Sequence, residues 1–169
     1  MIYDEILDIV SVDDKVIGQE KRSIIYEKKL SCFRVINGLI CNSEKKLWIP
    51  RRHAQKKLFP LCLDASVGGH VGAGETYQDA FIRETKEELG FNTLHYSHSR
   101  VAHLTPHEHN TSAFMWVYII RSDEEPNYNS NDFSSFEWLS PEEIFQKLAM
   151  GDKAKSDLIP ILHAIKDKL

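Results

Sequence analysis

The alternation of apolar and polar positions along the chain predicts a series of β-strands interrupted by helices. A polar turn at residues 12–15 separates two apolar segments, so residues 5–19 are predicted to form a β-hairpin. The strongest predicted strand is the apolar run at 112–120, which is long enough to lie at the centre of a sheet. Further strands are predicted at 33–41, 46–50, 91–103 and 133–139.

Three helices are predicted between and after these strands. The first covers residues 76–89, where an apolar stripe recurs at helical spacing and Gly90 ends the pattern. The second begins after Ser140, a typical N-cap residue, and the third is predicted over 153–168, where Pro160 either kinks or restarts it. Helices at both ends of a set of strands predict an α/β sandwich with a mixed β-sheet.

Length, charge and cysteine content limit the class of protein. A chain of 169 residues corresponds to about one domain. We expect this domain to cover 1–169, with a hairpin extension at 1–30, a core at 31–150 and a C-terminal helix at 151–169. The net charge of -4 argues against a nucleic-acid-binding surface. No apolar run approaches the ~18 residues needed to span a bilayer.

The three cysteines favour an intracellular protein. They are Cys32, Cys41 and Cys62, and they contain no CxxC pair and match no zinc module. Disulfide frameworks are typical of secreted chains, so a reduced protein and a cytoplasmic location are expected. We also expect a small-molecule partner, no membrane partner, and leave a homodimer open.

The first predicted helix carries an unusual concentration of negative charge. Glu84, Glu87 and Glu88 lie at positions i, i+3 and i+4, which share one face of a helix. Like charges at this spacing repel one another and destabilise an isolated helix. The carboxylates therefore either face open water or hold a cation between them.

The spacing around this helix resembles the Nudix box, the signature of the Nudix hydrolase superfamily. The pattern is a glycine, five residues, a glutamate, seven residues, and then Arg-Glu-bulky-x-Glu-Glu-x-Gly-bulky. The matching residues are Gly69, Glu75, Arg83, Glu84, Glu87, Glu88, Gly90 and Phe91. The departure is Thr85, which stands where an aliphatic residue is usual. Together with the predicted strands, the resemblance covers most of residues 30–150 and implies a Nudix-type α/β/α sandwich.

The resemblance implies a hydrolase of a nucleoside diphosphate linked to another group, dependent on two or more Mg²⁺ or Mn²⁺ ions. Carboxylate oxygens are the ligands that such cations prefer, and the cations offset the charge of a diphosphate. By resemblance, the metal ligands are Glu84, Glu87, Glu88 and the carbonyl of Gly69. Arg83 would hold this array, with Glu87 as its natural partner, and Glu75 would anchor the glycine loop.

Residues outside the box are candidates for a general base and for substrate contacts. Asp132, in the loop before the last strand, is slightly preferred as base over Glu108 in the predicted loop 104–110. A basic run follows the strand at 46–50 and is either a solvated loop or an anion contact. The candidate substrate-binding residues are Arg51, Arg52, Lys57, His70 and Gly69, with Trp48 and Phe59 as aromatic neighbours of the ligand.

The branch of the superfamily that this sequence is most similar to includes the isopentenyl diphosphate isomerases and related hydrolases. An isomerase needs a cysteine directly before its Gly-His pair, and Gly68 stands there. Its two upstream metal-binding histidines correspond to Ile24 and Ser31. Isomerase activity is therefore disfavoured, and a non-catalytic nucleotide-binding module is a second alternative. A zinc site formed by His103, His107 and His109 is a minor further hypothesis.

Overall fold

A small extension precedes the central sheet. The computed structural model describes residues 4–169, and residues 1–3 of the predicted extension lie outside it. The elements of the extension are β1 (Ile6–Val10), β2 (Val16–Lys21) and α1 (Arg22–Glu27). The strands pair antiparallel, which confirms the predicted hairpin. The carboxylate of Asp14, in the turn, accepts hydrogen bonds from Arg34 Nε at 2.7 Å and Tyr77 Oη at 2.8 Å, so the hairpin is anchored to the core.

A six-stranded mixed sheet forms the centre of the fold. Its strands are β3 (Arg34–Cys41), β4 (Leu47–Arg52), β5 (Val67–His70), β6 (Ser97–Leu104), β7 (Phe114–Arg121) and β8 (Phe133–Leu139). The order is β6-β7-β3-β4-β8, and β5 pairs with β3. β3 and β7 run parallel, whereas the other pairs are antiparallel. The apolar run predicted to be central lies between β6 and β3, as expected.

The helices lie on both faces of this sheet, which confirms the α/β/α architecture. They are α2 (Tyr77–Leu89), α3 (Pro106–His109), α4 (Pro141–Ala149) and α5 (Leu158–Ile165). The predicted ends of α2 are confirmed, because the Thr76 hydroxyl accepts a hydrogen bond from Asp79 N–H and Gly90 adopts a φ of 66°. One side of the sheet packs Phe81 of α2 against Tyr118, and the other packs Leu158 and its helical neighbours against β7.

Two segments differ from the sequence-based prediction. A short helix, α3, occupies the region predicted as a loop at 104–110. The C-terminal helix begins at Leu158 rather than at residue 153, so Pro160 lies in its first turn and does not kink it. The residues before it instead run beside the chain after β4, where Ala154 forms a parallel bridge with Leu63. Within residues 4–169, no helix is long and apolar enough to cross a bilayer.

Candidate active site

A cleft of about 540 Å³ opens beside α2, a volume typical of small-molecule sites. Its lining includes Glu5, Arg22 and Tyr26 of the extension; Asn37 of β3; Arg52, Lys56, Leu58 and Phe59 of β4 and the loop after it; Gly68, Gly69 and His70 of β5; Glu84 and Glu88 of α2; and Lys155, Ser156 and Asp157 before α5. With Ser112 before β7, six separate parts of the chain therefore meet at the acidic face of α2.

Arg83 organises the start of the acidic helix. Its guanidinium donates to both carboxylate oxygens of Glu75 at 2.9 Å, to Glu84 at 2.7 Å and to the His70 carbonyl at 3.0 Å. Glu87, the partner expected from spacing, lies farther away at 3.6 Å and has a largely exposed side chain. Glu75 also accepts a hydrogen bond from Gly72 N–H at 2.8 Å. The arginine thus ties the glycine loop to the helix, as its position in the box implies.

Glu84 and Glu88 reach the backbone of β5. A side chain at position 69 would place its Cβ 2.1 Å from the carboxyl carbon of Glu84, so that only glycine leaves room for this carboxylate. Glu88 accepts a hydrogen bond from Gly68 N–H at 3.1 Å. A Cβ on Gly68 would lie 2.9 Å from Asn37 Oδ1, so the cysteine of an isomerase would collide with that amide unless it moved.

The site disfavours negative charge in the absence of a cation. Burial raises the pKa of Glu88 to about 8, against the hydrogen bond from Gly68, and the carboxylates of Glu84, Asp64 and Asp132 raise it further. Burial also raises the pKa of Glu84, against the attraction of Arg83. Oxygen donors crowded in this way suit a divalent cation.

The acidic residues fit such a cation in chemistry, although they do not form a closed ligand shell. Within residues 4–169, no three His, Cys, Asp or Glu side chains converge as a metal-binding group. Glu84 and Glu87 are turned towards Arg83, and Glu88 towards Gly68. The ligand roles of these residues and of Gly69 therefore stay predictions.

Comparison with known families decides the class of the protein. The model of the NUDIX domain matches residues 33–161, which include the acidic helix, the glycine loop and most of the cleft. The chain belongs to the Nudix family. Enzymes of this family hydrolyse diphosphate bonds of small molecules and generally use divalent metals.

Two relatives match this chain along nearly their whole length, and both are Nudix hydrolases. An uncharacterized Nudix hydrolase of Nostoc sp. is 54% identical over 159 residues, which are 94% of each chain. A Nudix hydrolase of Deinococcus radiodurans is 43% identical over 165 residues, covering 96% of this chain and 94% of the relative. A crystal structure from that organism, at 43% identity, gives a TM-score of 0.88 over 94% of this chain and 98% of the other. This chain is accordingly a Nudix hydrolase.

A more distant relative agrees with the predicted branch of the family. The isopentenyl-diphosphate Delta-isomerase of Paenarthrobacter aurescens is 25% identical over 139 residues, covering 79% of this chain and 76% of the relative. This likeness is consistent with the resemblance to the isomerase-like branch.

The two candidate bases lie in different surroundings of the Nudix cleft. Asp132 forms an ion pair with Lys56, which lines the cleft, and its charge contributes to the raised pKa of Glu88. Glu108 lies on α3 with a 65% exposed side chain, and it accepts only a long hydrogen bond of 3.3 Å from Thr105. Neither carboxylate lines the cleft, but Asp132 pairs with the lining residue Lys56 and contributes to the raised pKa of Glu88, whereas Glu108 does neither.

The predicted basic contacts separate into two groups. Arg52 lines the Nudix cleft and donates to Asp64 at 2.8 Å, and Lys56 lines it as well. Arg51 instead forms a two-pronged ion pair with Asp152 at 2.8 and 2.7 Å and does not line the cleft. Lys57 is exposed and outside the lining. Substrate contacts by Arg51 and Lys57 stay predictions.

His70 lines the cleft as a neutral side chain. Burial, together with the charges of Arg22, Lys155 and Arg83, lowers its pKa to about 3. Its Nε2 lies 3.0 Å from the hydroxyl of Tyr26. A neutral imidazole held in this way can hydrogen-bond to a ligand but does not neutralise a phosphate.

Several lining residues were missed by reasoning from the sequence. Arg22 and Tyr26 belong to the extension, and Lys155 and Asp157 lie where the C-terminal helix was predicted to run. Lys155 reaches the cleft because the residues before α5 pair with the chain at Leu63, a contact with no local signature. Trp48, predicted near the ligand, is fully buried and packs on Phe136, outside the cleft lining.

A second groove, of about 690 Å³, lies between β6 and α5. His103, His109 and His163 line it, but no metal-binding group of three was found among residues 4–169. His103 Nε2 is 3.1 Å from Asp14, and His109 Nδ1 accepts from Thr105 N–H at 3.0 Å. The zinc hypothesis therefore has no structural support.

Proposed function

We propose that this enzyme hydrolyses a phosphoanhydride bond in a nucleoside diphosphate linked to another group, or in a nucleoside di- or triphosphate, with water as the nucleophile. The observation that carries this proposal is the meeting of Glu84 and Glu88 with the backbone of Gly68 and Gly69 in the wall of one cleft. The positively charged side chains that a diphosphate needs also line this cleft.

Two or more Mg²⁺ or Mn²⁺ ions would be held by Glu84, Glu87, Glu88 and the Gly69 carbonyl. When bound, such ions polarise the phosphoryl group, lower the pKa of water and offset the charge of the leaving group. For Glu84 and Glu87, binding an ion would mean turning from Arg83, which would keep its hydrogen bonds to Glu75.

The remaining roles follow from position in the cleft. Arg83 positions Glu84 and the glycine loop through its four hydrogen bonds. Asp132, adjacent to Lys56 and to the acidic helix, accepts the proton of the attacking water. Lys56 and Lys155 contact the phosphates, and Arg52 holds the surrounding loop. Residues 1–169 act as one domain, with the extension completing the cleft.

A substrate panel tests the proposal. Phosphate release is measured from NDP-linked compounds, nucleoside di- and triphosphates, with Mg²⁺, with Mn²⁺ and with excess chelator. We expect turnover on at least one nucleotide, abolished by the chelator. No turnover on the panel, combined with tight metal-free nucleotide binding by calorimetry, would support a binding module instead. Conversion of isopentenyl diphosphate, followed by NMR, would support an isomerase.

The choice of base is tested by a pair of variants. Asp132→Asn is expected to lower kcat about 10²-fold, which is the smaller end of the contribution of a general base. Glu108→Gln is expected to leave kcat within twofold of the wild type, because its side chain is 65% exposed and its neighbours Thr105 and His109 do not line the cleft. The reverse ranking would transfer the role to Glu108.

A further inference from the structure

An apolar shelf projects into the cleft from the loop after β4. Leu58 and Phe59 line the cleft with 51% and 40% of their surfaces exposed. Among residues 4–169, Phe59 is the one exposed phenylalanine, and its ring has no aromatic or cationic stacking partner. Exposure of adjacent large apolar side chains inside a cleft marks a surface that a ligand covers.

The backbone holds this shelf in a conformation that bulky residues rarely adopt. Phe59 has a φ of 50° directly before Pro60, and Leu61 has a φ of 60°. Positive φ is unfavourable for residues with large side chains, and such outliers persist only where the surrounding structure maintains them, often at ligand sites. The presentation of the Phe59 ring is therefore fixed by the fold.

The two neighbouring arginines maintain that conformation. Arg52 donates from Nε to the carbonyls of Leu58 and Phe59, both at 3.1 Å, and from Nη2 to Leu58 at 3.0 Å. Arg51 donates from Nη1 to the Leu61 carbonyl at 2.9 Å. The guanidinium groups expected from the sequence to bind substrate thus brace the loop that carries the apolar shelf.

We propose that the ring of Phe59, with Leu58 beside it, is the surface on which the planar base of a nucleotide substrate stacks. This inference rests on the proposed function, because it assigns the non-phosphate end of the same substrate. The phosphates lie towards Glu84 and Glu88, and the base lies on the loop. Phe59 then determines that the substrate class is a nucleoside diphosphate derivative rather than a prenyl diphosphate.

The polar neighbours of the shelf favour a base over a hydrocarbon chain. The cleft lining also includes Ser156, whereas Asn37 lies beside Gly68, towards the acidic helix. A nucleobase presents donors and acceptors at its edge that a hydroxyl group such as that of Ser156 can satisfy. A prenyl chain would remove such polar groups from water and offer them no hydrogen bonds in return, which costs free energy.

The test measures, by calorimetry with Mg²⁺, the binding of a nucleoside α,β-methylene diphosphate and of methylenediphosphonate, which has no base. Phe59→Ala is expected to weaken the nucleotide analogue about tenfold or more, in the range of base–aromatic stacking, and to change methylenediphosphonate less than twofold. Phe59→Trp should restore the nucleotide affinity. Circular dichroism and thermal melting establish that each variant is folded.

Leu61→Ala is the matched control, because Leu61 is in the same loop, is 51% exposed and also has positive φ, but does not line the cleft. Its affinities should stay within twofold of the wild type. Equal effects of the two alanine variants, equal weakening of both ligands by Phe59→Ala, or no nucleotide binding by the wild type would overturn the inference. A larger loss for a prenyl diphosphonate than for the nucleotide would overturn it in favour of a hydrocarbon occupant.

The same variants separate this inference from the proposed function. If the wild type hydrolyses nucleotides and Phe59→Ala has an unchanged KM, the function stands and the stacking surface is rejected. If the wild type binds the analogue through Phe59 but hydrolyses no nucleotide, the stacking surface stands and the hydrolytic function is rejected.

Discussion

The acidic helix α2 and the basic segment at residues 51–57 both concentrate charge, but they neutralise it differently. In α2, Glu84 and Glu87 share one cation, Arg83, whereas Glu88 accepts a hydrogen bond from Gly68 N–H. In the basic segment, three of the cations each pair with a different carboxylate. The pairs are Arg51 with Asp152, Arg52 with Asp64 and Lys56 with Asp132, and they span 101, 12 and 76 residues of sequence.

This difference distinguishes charged groups that are available to a ligand from charged groups that stabilise the fold. Burial, with a smaller contribution from neighbouring carboxylates, raises the pKa values of Glu84 and Glu88, so that an added cation would stabilise their charged forms. The paired arginines brace a loop and have little charge left for a substrate. The arginines of the basic segment are therefore assigned to structure, whereas Lys56 lines the cleft although it pairs with Asp132.

The largest effect is expected from removing a charge on α2. Glu88→Gln keeps the size of the side chain but lacks the charge, and kcat should fall about 10³-fold or more because the cation loses a ligand. Steady-state kinetics at saturating Mg²⁺ measure it. Glu142→Gln, in the exposed first turn of α4, is the control and should change kcat less than twofold. Near-normal turnover by Glu88→Gln would remove the acidic helix from the mechanism.

A glycine substitution tests the same site without changing any charge. Gly69→Ala would place a Cβ 2.1 Å from the Glu84 carboxyl carbon, and displacement of this group should lower kcat about 10²-fold. Gly72→Ala is the matched control in the neighbouring loop, since its Cβ would meet Glu75 at an ordinary 3.5 Å. Equal activities of the two variants would show that the position of Glu84 does not matter.

The acidic helix could be read from the sequence because its determinants are local. The helix limits at Thr76 and Gly90 follow from capping, and the shared face of Glu84 and Glu88 follows from helical periodicity. The same is true of α4, where Ser140 and Glu143 form a capping box. The strand order and the parallel pairing of β3 with β7 depend on contacts far apart in sequence, and the sequence predicted an α/β/α sandwich with a mixed sheet but not this order.

The basic side of the cleft could not be read in this way. Lys56 and Lys155 lie in loops without periodicity, and Lys155 enters the cleft through the pairing of Ala154 with Leu63. The burial of Trp48 was also missed, because an aromatic residue in a strand of unknown neighbours can face either the core or the solvent. The position of each of these side chains depends on contacts with residues far away in the sequence, which residue type alone does not indicate.

The ion pair of Arg51 with Asp152 should affect stability and not catalysis. The hydrogen bonds from Arg51, against some burial, lower the pKa of Asp152 from its ordinary value to about 2. The stabilisation is therefore present above about pH 4 and is lost as the pH falls towards 2, because the unfolded carboxyl takes up its proton first. Asp152→Asn should lower the free energy of unfolding by about 2 kcal/mol at pH 7.

Urea unfolding at pH 7, 4, 3 and 2 measures this contribution. The difference between Asp152→Asn and the wild type should shrink steadily below pH 4, while KM at pH 7 stays unchanged. Asp13→Asn, at an exposed position of the hairpin turn, is the control and should change stability by less than about 0.5 kcal/mol. A marked rise in KM for Asp152→Asn would return Arg51 to the substrate-binding residues.

The smallest effect is expected from a substitution on the buried face of α2. Thr85 stands at the motif position where an aliphatic residue is usual, is fully buried and has no hydrogen-bond partner for Oγ1 within the described residues. A buried hydroxyl without a partner costs free energy, so Thr85→Val, which has the same shape, should stabilise the protein by about 1 kcal/mol. Activity should not change, because the acidic face of the helix is untouched.

Thr111→Val is the matched comparison for this substitution. Thr111 is also buried, but its hydroxyl donates to the Ala113 carbonyl at 2.8 Å, so the same change removes a hydrogen bond and should destabilise the protein by about 1 kcal/mol. Thermal melting and urea titration compare the two variants. Opposite signs would show that the buried face of α2 can be made more stable without any change to its acidic face. Destabilisation by Thr85→Val would mean that the hydroxyl of Thr85 has a partner in solution, such as a buried water.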